Sequence, residues 1–84
     1  NKTNEIVKSD KFTTNLVNFN KTIYKDLEAL DSFVIYMGVE GNTILIWDEG
    51  EININVGEAV IVPALISQIE FVPKTTSKLL EVHS

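Results

Sequence analysis

Glu51-Ile52-Asn53-Ile54-Asn55-Val56 alternates polar and apolar residues without a break, a period that an extended strand turns into one wet face and one dry face. Ile52, Ile54 and Val56 would share the dry face, and Glu51, Asn53 and Asn55 the wet one. The remaining apolar residues also come in short runs, spaced about 8–12 residues apart and separated by turn residues, the spacing of a sandwich or barrel. In a chain of 84 residues that means one small all-β domain.

Asn42 to Trp47 is β-branched or aromatic for the most part, and Asp48-Glu49-Gly50 joins it to the alternating strand as a hairpin tip, with Gly50 available for positive φ. Phe33 to Val39 is apolar on both faces, with Phe33, Ile35, Met37 and Val39 on one side and Val34, Tyr36 and Gly38 on the other. It therefore predicts a central strand, and with a turn at Glu40-Gly41-Asn42 residues 33–56 read as a three-stranded antiparallel meander. Ala59 to Val62 ends at Pro63 and Gln68 to Val72 ends at Pro73, where the missing backbone donor matters least. Leu79 to Val82 is the last strand, and Lys74 to Lys78 is the polar turn before it.

Towards the N-terminus, Phe12 to Phe19 is strand-like but mixes its faces, as a bulge would produce. Between residues 21 and 31, Ile23, Leu27 and Leu30 stand at helical spacing, so one short helix is an alternative there, although no capping box precedes it. Residues 1–10 are polar and read as a flexible segment ahead of a single domain over 11–84. The architecture expected is thus an antiparallel jelly-roll-like β-sandwich of about seven or eight strands. Its leading core candidates are Phe33, Ile35, Met37, Ile52, Ile54 and Val56 in the first half, then Val60, Val62, Ile69, Phe71, Leu80 and Val82.

Composition removes several kinds of chemistry. The chain has no Cys and one His, which leaves no disulfide framework and no thiolate metal cage. All seven basic residues are Lys against twelve acids, a net charge of −5, which suits neither phosphate neutralisation nor base-edge reading by Arg. No apolar run approaches the ~20 residues of a membrane span. The start, Asn1-Lys2-Thr3-Asn4-Glu5, has no signal-peptide pattern, so a cytoplasmic location is expected. It also lacks an initiator Met, which suits a piece of a longer protein.

Single candidate residues have ordinary readings. His83 lies one residue from the terminus and would need metal-binding partners from elsewhere, so it reads as an exposed tail residue. Asp48, Glu49 and Glu51 fall short of the ~6–8 oxygens a calcium ion takes, and read as a solvated hairpin tip. Trp47, Tyr36 and Tyr24 have the chemistry of a sugar-stacking platform, but aromatic residues on strands usually pack. Lys74 and Lys78 would need a built anion cradle to hold a phosphate. Gly38, inside a bulky strand, marks a bulge or the close approach of another backbone or domain. Asn1-Lys2-Thr3 and Asn20-Lys21-Thr22 match the glycosylation sequon by coincidence.

Gly57-Glu58-Ala59-Val60-Ile61-Val62-Pro63-Ala64 is similar to the second sequence motif of the cupin superfamily, in which Gly, five residues and Pro precede a turn and a metal-binding His. Together with Phe12-Thr13-Thr14-Asn15, Glu40-Gly41 and Lys78-Leu79-Leu80-Glu81-Val82, in that order along residues 11–83, it resembles the C-terminal cupin domain of bacterial type I mannose-6-phosphate isomerases. The resemblance implies a parent that interconverts mannose 6-phosphate and fructose 6-phosphate with a divalent metal, usually zinc. That reaction needs a base, a Lewis acid for the enediolate oxygens and a cationic clamp for the phosphate.

The metal ligands of that family lie in a preceding cupin domain, and this sequence departs from the general cupin pattern in keeping with that. Leu65 and Gln68 stand where the second motif has Gly and the ligand His. Aligning the first motif on Gly41 puts Val34 at its Glu, and its His pair on Glu28 and Leu30, or on Leu27 and Ala29. The expectation is a domain with no catalytic, cofactor-binding or metal-binding residues of its own, inactive alone, whose partner is the catalytic cupin of the same parent chain. Sugar phosphate would be met only through that parent, with neither nucleic acid nor membrane as a partner. The alternatives are a free-standing, metal-free cupin-like module for a small sugar or organic acid, and an oligomerisation domain that self-associates through an apolar patch.

Overall fold

A computed structural model describes residues 12–28, 30 and 32–83. Among these residues eight strands form two four-stranded sheets: β1 (Thr13–Phe19), β2 (Ile23–Asp26), β3 (Val34–Glu40), β4 (Thr43–Trp47), β5 (Gly50–Ile54), β6 (Ala59–Val62), β7 (Gln68–Pro73) and β8 (Ser77–His83). The first sheet has the order β1-β8-β3-β6 and the second β2-β7-β4-β5, with every neighbouring pair antiparallel. Only the β4–β5 connection stays within a sheet; every other one crosses between sheets, which makes the sandwich a jelly roll. The expected all-β sandwich of about seven or eight strands is the one observed, with eight among the described residues.

The inner faces meet on Phe71, which has no exposed surface. Tyr36 packs edge-on against it with ring centroids 4.8 Å apart, and Phe19 sits 5.9 Å away on the other side. Leu27, Val34, Leu45, Ile54, Val62, Ile69 and Leu79 complete the buried cluster. Burial of each such side chain contributes about 1.5–3 kcal/mol. Of the expected core, Ile54, Val62, Ile69 and Phe71 are buried and Val60 packs against them.

Two strands present the face opposite to the one expected. On β3 it is Val34 and Tyr36 that point inward, leaving Ile35 half-buried and Phe33 and Met37 exposed. On β8, Ser77, Leu79 and Glu81 are buried while Leu80 and Val82 face outward. β3 is apolar on both sides, so periodicity alone gives no preference there; on β8 the pattern favours the Leu80 and Val82 face, and the donors that Tyr36 and Lys25 bring to Glu81 turn the other face inward. Ile52 is also exposed, because β5 is the outer strand of the second sheet and only Ile54 reaches the covered middle; Val56, exposed too, lies beyond the end of β5 and bridges to Gly38.

The meander over 33–56 is replaced by a change of sheet. β3 pairs with β6 and β8, whereas β4 pairs with β5 and β7, so the turn at Glu40-Gly41-Asn42 carries the chain from one sheet to the other. Gly41 has φ 78°, and the backbone of Thr76 occupies the space a Cβ would need. The β4–β5 hairpin is present, but Gly50 pairs with Trp47 and does not adopt positive φ. Residues 23–26 are a strand, not a helix. Ile23 to Asp26 pair with β7, the Asp26 side chain accepts a hydrogen bond from the Glu28 backbone at 3.0 Å, and the Leu27 amide goes to the Ser67 carbonyl. The segment over 1–10 lies outside the described residues.

β1 pairs with β8 residue for residue, with no bulge. The irregularity lies between Gly38 and Glu40, where the β3–β8 register shifts. Gly38 also meets a crossing backbone, as expected: its amide donates to Glu58 and its carbonyl accepts from Gly57, 2.8 and 2.9 Å away. No helix among the described residues is long and apolar enough to cross a membrane.

Candidate functional site

β8 carries the only acid buried inside the sandwich among the described residues. Glu81 shares the inward face of β8 with Leu79 and is 6% exposed. Three elements supply it with donors. Tyr36 on β3 donates its hydroxyl to Oε2 at 2.6 Å, Lys25 Nζ on β2 lies 3.2 Å from the same oxygen, and Asn15 Nδ2 on β1 donates to Oε1 at 3.4 Å.

Burial alone pushes the Glu81 carboxyl upward. The hydrogen bonds from Tyr36 and Lys25, the Lys25 charge and the Asn15 bond outweigh it and hold the group below the ordinary carboxyl value. The Tyr36 hydroxyl is raised well above the normal phenol range, by its own burial first and then by its hydrogen bond to Glu81 and the carboxylate charge. This is a neutral phenol donating to an ionised acid, with an ammonium as counter-charge. Every member has a partner, and with the aromatic stack behind Tyr36 the cluster closes the interior.

The second region is the end of the sandwich around Trp47. A depression of about 330 Å³ lies between the β4–β5 tip, with Trp47, Asp48 and Glu49, and the β6–β7 loop, with Pro63, Leu65, Ile66 and Ser67, next to Gln68. A shallower hollow of about 240 Å³ on the far side of Trp47 is bordered by Tyr24 and Glu70. Of the three candidate stacking aromatics, Trp47 and Tyr24 therefore border one hollow, whereas Tyr36 is in the core.

The other candidates do not converge. Glu51 lies on the second sheet's outer face, away from the tip depression lined by Asp48 and Glu49. Lys78 is paired with Glu40 at 3.3 Å, and Lys74 is exposed in the β7–β8 turn. His83 is half-buried at the end of β8, in register with Thr13 and Val34. Sequence reasoning missed Glu81 with its donors. The one available signal was an acid placed in step with Leu79, and it carried weight only once the inward face of β8 was known.

No protein-family model matches the sequence, and no curated protein matches it significantly. Solved structures do match. A cupin-2 domain containing protein from Shewanella frigidimarina superposes with a TM-score of 0.75 at 15% identity, over 88% of this chain and 71% of that one. A cupin superfamily protein from Desulfitobacterium hafniense gives 0.73 at 20% identity, over 89% and 68%. The chain has the cupin fold. A protein from Archaeoglobus fulgidus described as a candidate mannosephosphate isomerase superposes with a TM-score of 0.78 at 17% identity, over 89% of this chain but only 24% of its own.

Within this cupin fold, the positions that align with the superfamily's ligand residues do not converge on a metal. Val34 and Leu27 are buried apolar side chains, Leu30 is half-buried, and Glu28 and Gln68 face solvent; Ala29 lies outside the described residues. Among the described residues no three His, Cys, Asp or Glu side chains are grouped for a metal ion. The donor set does not fit a zinc ion, which takes three or four N, S or O ligands.

Proposed function

We propose that this chain is a non-catalytic cupin-fold domain of a larger mannose-6-phosphate isomerase, with a structural role beside the catalytic cupin. The observation that carries the reading is the filled interior. Where a catalytic cupin needs an open barrel and convergent ligands, this one holds Tyr36, Phe71 and the Glu81 cluster, all packed and partnered. The superposition on the Archaeoglobus fulgidus protein supports the choice of parent, because the matched part is about a quarter of that chain. On this reading zinc or another divalent metal, the general base and the phosphate clamp belong to the catalytic domain, and the protein works in the cytoplasm.

An antibody raised against the 84 residues tests the reading. Added to an extract of the source cells, it should deplete mannose-6-phosphate isomerase activity and detect a polypeptide several times larger than 9.4 kDa. The purified chain should not turn over mannose 6-phosphate with added zinc. Undiminished activity in the depleted extract, or turnover by the chain alone, would overturn it.

A second reading is favoured by the Trp47 depression and by the coverage of the shorter cupin structures, 71% and 68% of their lengths. It makes the chain a free-standing module that binds a small sugar or organic acid at that end. Trp47 is the only Trp, so its fluorescence reports directly. Saturable quenching by a sugar or sugar phosphate, lost in Gln68→Ala, would favour this reading over the first.

A further inference from the structure

We propose that the outer face of the first sheet is a contact surface for a second copy of this chain, packed back to back about a two-fold axis. The strand register assembles the face. Leu16, Leu80, Met37 and Ala59 lie side by side across β1, β8, β3 and β6, and Thr14, Val82, Ile35 and Ile61 form the adjoining row. Residues opposite one another in antiparallel strands share a face, so the two rows are one continuous apolar surface. It is open to solvent: Leu16 is 55% exposed, Met37 41% and Ile61 64%.

Charge selects the partner. The only charged side chains among the described residues of this face are Lys78 and Glu40, and they neutralise each other at one end. The opposite outer face, on the second sheet, carries Asp26, Glu51 and Glu70 with no Lys among its described strand residues. A chain of net charge −5 can therefore bring two copies together on the first sheet without opposing like charges, and not on the second.

The area is that of a modest interface. Three strands of seven residues and β6 of four, at about 3.4 Å per residue and 4.8 Å between strands, give a projected face of roughly 400 Å². Two copies then hide about 800 Å² in projection, and side-chain relief adds to this, towards the lower end, about 1,200 Å², of stable specific interfaces. Face-to-face packing of two sheets about 10 Å apart is a standard arrangement. The contact is independent of the isomerase reading, since the Trp47–Leu65 end of the sandwich remains available for a catalytic cupin.

Sedimentation equilibrium on the full 84-residue chain tests this. The wild type should show twice the 9.4 kDa monomer mass at concentrations of tens of micromolar and above. Ile61→Lys and Met37→Lys should each halve the sedimenting mass while keeping the circular dichroism of the folded β-sandwich. Tyr24→Lys, on the other sheet, should stay dimeric. A wild-type monomer throughout, whether from cover by its own chain or from need of a different partner, overturns the proposal. A dimer that survives Ile61→Lys and Met37→Lys, or one lost in Tyr24→Lys, overturns it equally.

Discussion

Tyr36 donates its hydroxyl to Glu81 across 2.6 Å, joining the two central strands of the first sheet through their inward side chains. The same carboxylate is held from the other sheet by Lys25, so one buried acid ties both layers of the sandwich. A polar contact at this depth stabilises only while each member keeps its partners.

Removing the phenol oxygen alone tests that dependence. Tyr36→Phe retains the ring on Phe71 but leaves Glu81 one donor short, and should cost about 1–2 kcal/mol in urea unfolding. In a Glu81→Gln background the same substitution should cost less, with a coupling energy of about 1 kcal/mol between the two positions. Additive losses would mean that the contact contributes nothing beyond packing.

The acid also sets a pH dependence. Its folded pKa lies below that of the unfolded chain, about 4.5, so its contribution is fully present above that value and is lost as pH falls through the folded pKa. Tyr36 has the opposite sign: its folded pKa is raised, so its contribution is complete below pH 10 and declines as pH rises beyond it. Melting temperatures should therefore fall on both sides of a neutral plateau. Glu81→Gln should flatten the acid limb and Tyr36→Phe the alkaline one, as read by thermal denaturation from pH 3 to 11.

Thr43 offers a gain. It is 1% exposed, and its hydroxyl has no hydrogen-bond partner inside the second sheet. Thr43→Val keeps the branched shape and the strand preference while removing a stranded polar group, and should add about 1 kcal/mol. In a domain of this size that raises the melting temperature by roughly 4–8 °C. A lower melting temperature would show that the hydroxyl is satisfied in solution.

Much of this fold was legible because strands and turns are local properties. The β4–β5 hairpin, the stop at Pro63 and the crossing at Gly38 all follow from short stretches of sequence. What was not legible is which layer each strand joins. Gly41 turns the chain between sheets, yet Glu40-Gly41-Asn42 has the composition of a hairpin turn, and the difference lies in Thr75, Thr76 and Ser77 some 35 residues away. The inward face of β3 depends likewise on Glu81, a partner 45 residues distant, so the candidate cluster was hidden for the same reason.

Gly38 and Gly57 separate two reasons for keeping glycine, and mutation distinguishes them. Gly38 has an ordinary backbone conformation, but a Cβ there would overlap the carbonyl oxygen of Asn55, lie 2.9 Å from its carbon and press on Ile54 at 3.3 Å. The obstruction is backbone, held by hydrogen bonds from Gly38 to Glu58 and from Gly57 to Gly38, and cannot swing aside like a side chain. Gly57 has φ 88° with no atom within 4 Å of the Cβ position, so only the conformational preference opposes a substitution. Gly57→Ala should cost about 1–2 kcal/mol, and Gly57→Asn less, because Asn tolerates the left-handed region. Gly38→Ala should cost about 3 kcal/mol or more, since relief requires the 55–58 crossover to lift off β3. Urea midpoints for the three variants check the order; equal losses at Gly38→Ala and Gly57→Ala would mean that the crossover is not seated on β3.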